Sequence, residues 1–174
     1  MSLLPIIIVP DPVLKQTAQP IEHITSEIRK QAEDMIETMY AAPGIGLAAN
    51  QVAKLNRLIV MDPDYRHNNN SRNALVMINP EVVWQSEEIS VMEEGCLSIP
   101  QQFAEVERPA SVRVQYISLD GEKREWIGED LASHCVQHEI DHLNGVLFID
   151  YLSRLRRNMI LRKLEKHMKD KEVL

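Results

Sequence analysis

Gln137-His138-Glu139-Ile140-Asp141-His142 decides how this chain is read. Two histidines four residues apart share one face of a helix, so both imidazoles reach a single cation. Glu139 points about 100° round the helix from His138 and sits beside that cation rather than on it. There it is placed to accept a proton from water at the metal, as in HExxH hydrolases. The same six residues would also suit two surface histidines on an amphipathic helix, so the rest of the chain has to choose between the two.

A hydrolytic centre of this type takes three protein ligands and keeps one position open for water. Cys135 shares a face with His138 but stands seven residues before His142. Seven steps are roughly 10.5 Å of helical rise, too far for one ion with bonds of about 2.0–2.3 Å. His134 fails for the same reason, so the third ligand lies outside this helix. His23, His67 and His167 sit in polar stretches. The other cysteine, Cys96, lies in Glu93-Glu94-Gly95-Cys96-Leu97-Ser98. Gly95 permits close approach of backbone there, and paired glutamates do not suit a core strand.

A third segment is Gly44-Ile45-Gly46-Leu47-Ala48-Ala49-Asn50-Gln51. It follows a predicted helix rather than a strand, has no acidic residue at the dinucleotide-fold distance, and lacks Gly-Lys-Ser/Thr. Small residues followed by an amide suit either a tight helix-to-loop turn or backbone packed against a site, with Gln51 as a donor.

Together the three segments resemble one family, the peptide deformylases, in order and in spacing. The similarity runs from Pro10-Asp11-Pro12-Val13-Leu14 to the C-terminal helix. It implies hydrolysis of the formyl group from the formyl-methionine that begins new polypeptides. It implies that Cys96, His138 and His142 hold a divalent metal, ferrous iron in the cell, with zinc, nickel or cobalt in purified protein. Many members carry an arginine where Phe103 stands and an aliphatic residue where His134 stands. Both positions bear on substrate preference rather than on the chemistry.

The residue types support such a reaction. Glu139 serves as general base, and the Gln51 side-chain amide and the Leu97 backbone N–H are the candidate donors to the formyl oxygen. One such donor lowers a barrier by about 2.7–4 kcal/mol. Ile45, Met92 and Leu131 are expected as apolar walls for the methionine side chain, and Gly44, Gly46, Glu94 and Gly95 as further substrate-contacting positions. The peptide beyond pairs as an added strand on an open sheet edge. Asp141, three residues after His138, is expected to pair with Arg108 beside the site.

The surrounding pattern predicts an α+β domain over residues 1–174, with mixed antiparallel sheets around a central metal-binding helix and a C-terminal helix. Thr25 or Ser26 caps a first helix with Ile28, Ala32, Met35, Ile36 and Met39 at helical spacing, and Pro43-Gly44 ends it. Strands are expected over 57–62 and 75–83, separated by the polar loop 67–73, and through Val112, Val114 and Tyr116. Asp120-Gly121 turns that strand back through Lys123 to Ile127. Glu129 or Asp130 starts the metal helix, and Asn144-Gly145 closes it.

Composition excludes other classes. At 44% hydrophobic and 26% charged the chain suits a packed globule rather than a disordered segment. No apolar run approaches the ~20 residues of a membrane span. Residues 1–10 lack the charged start and cleavage site of a secretory signal. Two cysteines in unlike contexts suit a reducing cytoplasm, and neither DNA nor a membrane is an expected partner. A different HExxH peptidase would need a third ligand after the motif, where only His167 and carboxylates stand. A non-catalytic peptide-binding relative would be expected to lack Glu139 or a ligand.

From Tyr151 to Lys171 eight Lys and Arg face two acids, Glu165 and Asp170, giving +6 in a chain of −7 and leaving −13 elsewhere. Leu155, Met159, Leu164 and Met168 are expected on its packing side. Its basic side suits either solvation or, as the resemblance implies, docking to ribosomal RNA where formylated chains emerge.

Overall fold

Thr25 ends an extended stretch and caps the first helix: its hydroxyl accepts from the Ile28 N–H at 3.3 Å, and α1 (Ser26–Ala41) follows. Ala32, Met35 and Met39, at helical spacing, form its buried face. The computed structural model describes residues 2–173. After α1 come β1 (Gly46–Ala48), β2 (Leu58–Met61) and β3 (Leu75–Gln85). The hairpin β4 (Ile89–Cys96) and β5 (Ile99–Pro109) follows, then β6 (Ser111–Ile117), β7 (Lys123–Glu129), α2 (Leu131–Leu143) and α3 (Arg154–Val173).

One sheet has the order β1-β2-β3-β6-β7, antiparallel throughout. The sequence of β2 explains where it lies. Leu58, Ile59, Val60 and Met61 are all buried, which suits a strand covered on both faces. Ile59 and Met61 pack with Val136, Ile140 and Leu143 of α2. Leu58 and Val60 pack with Met35 and Met39 of α1. Each such side chain contributes about 1.5–3 kcal/mol when buried, so two helices clamp the sheet and fix the metal helix against it.

The β4–β5 hairpin forms a separate sheet. The sequence gives no hint of it, because Glu93-Glu94 does not suit a core strand. Alternation resolves the conflict: Glu93 faces solvent, while Glu94 faces inward and is compensated by a buried arginine on the neighbouring strand. Ile99, Ala104 and Val106 of β5 pack with Phe148 and Ile149 and with Ile160 and Leu164 of α3. Half of the expected packing face of α3 is corrected: Leu164 and Met168 pack as expected, but Leu155 and Met159 do not. Leu155 and Met159 are 71% and 47% exposed, and the helix packs through Ile160 and Leu164, with Leu161 and Met168 alongside.

The remaining expected helix and strand bounds hold within a residue or two, and β1 is an added short strand where a turn or close packing was expected. The α+β class holds, with antiparallel sheets around α2 and a helix at the C-terminal end. No helix is long and apolar enough to cross a membrane among the described residues.

The end of α2 is tied down by backbone. The Leu143 carbonyl accepts from the Ala18 N–H at 2.8 Å and from Arg57 Nη1 at 3.2 Å. Gly145 follows at φ +74°, where a Cβ would meet the Lys15 carbonyl oxygen at 2.4 Å. Gly121 has φ +86° but open space around it. Gly121→Ala should therefore cost only the left-handed backbone penalty, about 1–2 kcal/mol, in urea unfolding. Gly145→Ala should cost clearly more, and equal losses would contradict this description of how α2 ends.

Candidate active site

β4 and α2 each bring part of one cluster. Cys96 ends β4, just past a register shift between Gly95 and Cys96. His138 and His142 stand one turn apart on α2 with ring centroids 5.0 Å from each other. Cys96 Sγ lies 3.4 Å from His142 Nε2, and the donor atoms of Cys96, His138 and His142 all lie within 4.8 Å of one another. Tetrahedral bonds of about 2.0–2.3 Å require ligand atoms about 3.3–3.8 Å apart; the Cys96–His142 separation falls in that range, and one thiolate with two imidazoles suits a cation of the borderline-soft class. Cys135 is buried elsewhere, with Sγ directed at the Ile45 carbonyl at 3.6 Å.

Glu94 holds this arrangement together. Its Oε1 accepts from Arg108 Nη2 at 2.9 Å and pairs with His138 Nδ1 at 3.0 Å. Its Oε2 accepts from Arg108 Nε at 2.7 Å and pairs with His134 Nδ1 at 2.7 Å. The bond at His138 Nδ1 leaves Nε2 free for a cation, the usual carboxylate–histidine–metal arrangement. Burial alone would push Glu94 up; hydrogen bonds from His134, His138 and Arg108 outweigh it and hold the carboxyl well below the usual range. Arg108 also donates from Nη1 to Asp141 Oδ2 at 2.8 Å, the pairing expected for those two residues. The Tyr151 hydroxyl donates to the same oxygen at 2.8 Å.

Glu139 lies beside the cluster, with Oε1 4.0 Å from His138 Nε2 and Oε2 buried without a partner. Burial pushes its carboxyl up to about 7, against the pull of the His138 charge. Gly46 makes room for it: a Cβ there would meet Glu139 Oε1 at 2.8 Å. Gln51 is buried, held by the Ala48 N–H, which donates to its Oε1 at 2.9 Å. Its Nε2 is 3.1 Å from Ser98 Oγ and 3.6 Å from Cys96 Sγ, and so faces the cluster.

A cavity of about 670 Å³ opens over these groups. Glu139, Gln51 and Leu97 line it, as do Gly44, Ile45 and Gly46 on one side and Met92, Gly95 and Leu131 on another. Glu94 lines it too, but its oxygens are turned to Arg108 and the two histidines. Sequence reasoning missed this role of Glu94, the bond of His134 to it, and Phe148, whose ring stacks 6.0 Å from that of His138. A strand assignment for 89–96 would have put Glu94 and Arg108 on one inward face; nothing in the pattern marks Phe148.

Breaking a buried ion pair by removing one member costs about 3–5 kcal/mol, so Arg108→Met should lower unfolding stability by that order. The loss should be larger at neutral than at mildly acid pH. Without the guanidinium the Glu94 pKa rises, and protonation then relieves the unpaired charge as pH falls. A loss below about 1 kcal/mol, or one independent of pH, would contradict the role given to this pair.

The comparisons with known proteins identify the family. The family described as Polypeptide deformylase matches residues 3–158. A peptide deformylase of Bradyrhizobium diazoefficiens is 57% identical, covering 99% of this chain and 100% of its own length. One from Rhizobium meliloti is 53% identical, covering 97% of this chain and 96% of its own. The crystal structure of peptide deformylase from Ehrlichia chaffeensis superposes with a TM-score of 0.92 at 36% identity, covering 98% of this chain and 99% of that one. The same enzyme in complex with actinonin gives 0.90 at 38% identity, covering 96% and 98%. With a family match over most of its length, relatives above half identity and the Cys-His-His cluster in place, the chain belongs to the polypeptide deformylase family of enzymes.

Proposed function

We propose that this chain removes the formyl group from the N-terminal formyl-methionine of nascent polypeptides in the cytoplasm. Cys96, His138 and His142 would hold one divalent ion, ferrous in the cell. The observation that carries the reading is the meeting of Cys96 with both helix histidines beside a cavity that Cys96, His138, Glu139 and Gln51 line.

The chemistry such an ion supplies when bound is polarisation of water toward hydroxide near neutral pH. Glu139 accepts the proton of the attacking water and passes it to the departing amine. The water oxygen bonds to the formyl carbon, the C–N bond breaks, and formate and a free methionyl amine leave. The Gln51 amide and the Leu97 backbone N–H donate to the formyl oxygen as negative charge grows on it. Ile45, Met92 and Leu131 take the methionine side chain. A formyl carbon bears only hydrogen, so close walls around Glu139 and Gly46 would exclude an acetyl group. Main-chain pairing along the open edge of β4 tolerates many sequences, as an enzyme of nascent chains requires.

The exposed basic residues of α3, among them Arg156, Arg162, Lys163 and Lys166, suit docking to ribosomal RNA in this reading.

Formate release from a formyl-Met peptide, assayed anaerobically with iron-loaded protein, tests the proposal. Glu139→Gln should retain metal and lose about 10²–10⁴-fold in turnover, the contribution of a general base. Cys96→Ser should lose metal on dialysis, and Cys135→Ser should keep it. Turnover by Glu139→Gln above a few per cent of the parent (about a hundredfold loss or less) would remove Glu139 as base. Equal metal loss in both cysteine variants would remove Cys96 as the ligand.

A further inference from the structure

A second cavity, of about 520 Å³, shares no lining residue with the one over Cys96. Trp126, Ile127, Gly128 and Glu129 of β7 line it in succession. Neighbouring residues of a strand point to opposite faces, so a cavity that touches four in a row runs along the strand's edge. That edge is open, because β7 is the last strand of its sheet and pairs only with β6 among the described residues. The Ser111 carbonyl, opposite Glu129, bonds to the Ser86 N–H at 2.9 Å and so points away from β7. One residue on, the Asp130 N–H bonds to the Ala110 carbonyl at 2.9 Å. Antiparallel pairs alternate between bonded and unbonded residues, so Ile127 and Glu129 turn their main-chain groups outward, away from β6.

The cavity is also acidic. Asp62, Asp64 and Glu129 line it, and none of its lining residues is Lys, Arg or His. Asp62 is 3% exposed. Its Oδ2 accepts from the Tyr40 hydroxyl at 2.6 Å and from the Asn73 N–H at 2.8 Å. Its Oδ1 has no hydrogen bond among the described residues and is the oxygen left to the cavity. A carboxylate oxygen in that position favours a donor. The half-buried Trp126 ring lies across Gly128, where a Cβ would strike it. A metal ion does not suit these carboxylates, since among the described residues only Cys96, His138 and His142 gather at metal-binding spacing. We propose that the β7 edge binds an extended segment of a partner protein and that the cavity takes an arginine side chain from that segment. The segment's main chain pairs with the outward groups of Ile127 and Glu129. The guanidinium stacks on the indole of Trp126 and donates to Asp62 Oδ1, with Asp64 and Glu129 beside it.

The probes are acetyl-Thr-Val-Arg-Val-Thr-amide and the same peptide with Glu in place of Arg, titrated calorimetrically into the intact chain at low salt. The Arg peptide should bind, and the Glu peptide should bind at least about tenfold more weakly. Hydrogen exchange of the complex should slow in β7 and stay unchanged in β4. The double variant Asp64→Asn, Glu129→Gln should weaken the Arg peptide about tenfold, the scale of two exposed ion pairs, with formate release from a formyl-Met peptide unchanged. Ile127→Pro, which removes an N–H that β6 does not use, should weaken it as well. Equal binding of the two peptides, or of neither, would overturn the proposal. Protection in β4 instead of β7 would also overturn it, by placing the peptide at the other cavity. So would acetyl-arginine-amide binding as tightly as the pentapeptide, which would leave a pocket for small cations and no strand pairing.

Discussion

The carboxylate of Glu94 is the point on which this structure turns. It receives two N–H groups of Arg108 and faces one ring nitrogen each of His134 and His138, all between 2.7 and 3.0 Å. Glu94 and Arg108 lie on the β4–β5 hairpin and the histidines on α2, so one buried anion joins two elements that are far apart in the sequence. Cys96 is two residues beyond Glu94, and His138 is oriented by it directly. Without that anion the thiol and the imidazoles would sit on elements free to shift, and a ligand set needs placement within a fraction of an ångström. A buried ion pair of this kind adds little net stability, but losing one partner is costly. Its value here lies in fixing geometry.

The rest of the fold supplies a rigid frame for that junction. α2 is pressed onto the five-stranded sheet by Val136, Ile140 and Leu143, and α1 covers the opposite face. Behind the hairpin, Phe148 and α3 close a third cluster around Ile99 and Val106. Gly46 and Gly95 mark the places where a side chain would intrude, one against Glu139 and the other against Phe103. The small-residue segment 44–49 is therefore shaped by what it must leave room for, and its short strand β1 follows from pairing with β2.

Much of the site was legible from the sequence because helices have fixed dimensions. Spacing alone put His138 and His142 on one face and excluded Cys135, and the cluster at Cys96 agrees with that exclusion. The α1 cap at Thr25 and the closing Asn144-Gly145 follow local rules that tertiary packing did not override. The hairpin was not legible. Its inward glutamate breaks the hydrophobic alternation that identifies strands, and the compensating Arg108 is fourteen residues away. The packing face of α3 was right at Leu164 and Met168 and wrong in its first turns, because Leu155 and Met159 compete with Ile160 and Leu161 there. Only contact with β5 selects between them, and that contact is long-range.

X-ray absorption on protein loaded with one equivalent of zinc or cobalt reads whether one cation is held jointly by the end of β4 and the face of α2. The expected first shell has one sulfur at about 2.3 Å and two imidazole nitrogens at about 2.0–2.1 Å, with the sulfur lost in Cys96→Ser and kept in Cys135→Ser. A shell of nitrogen and oxygen alone in the unmodified protein would contradict joint binding by β4 and α2.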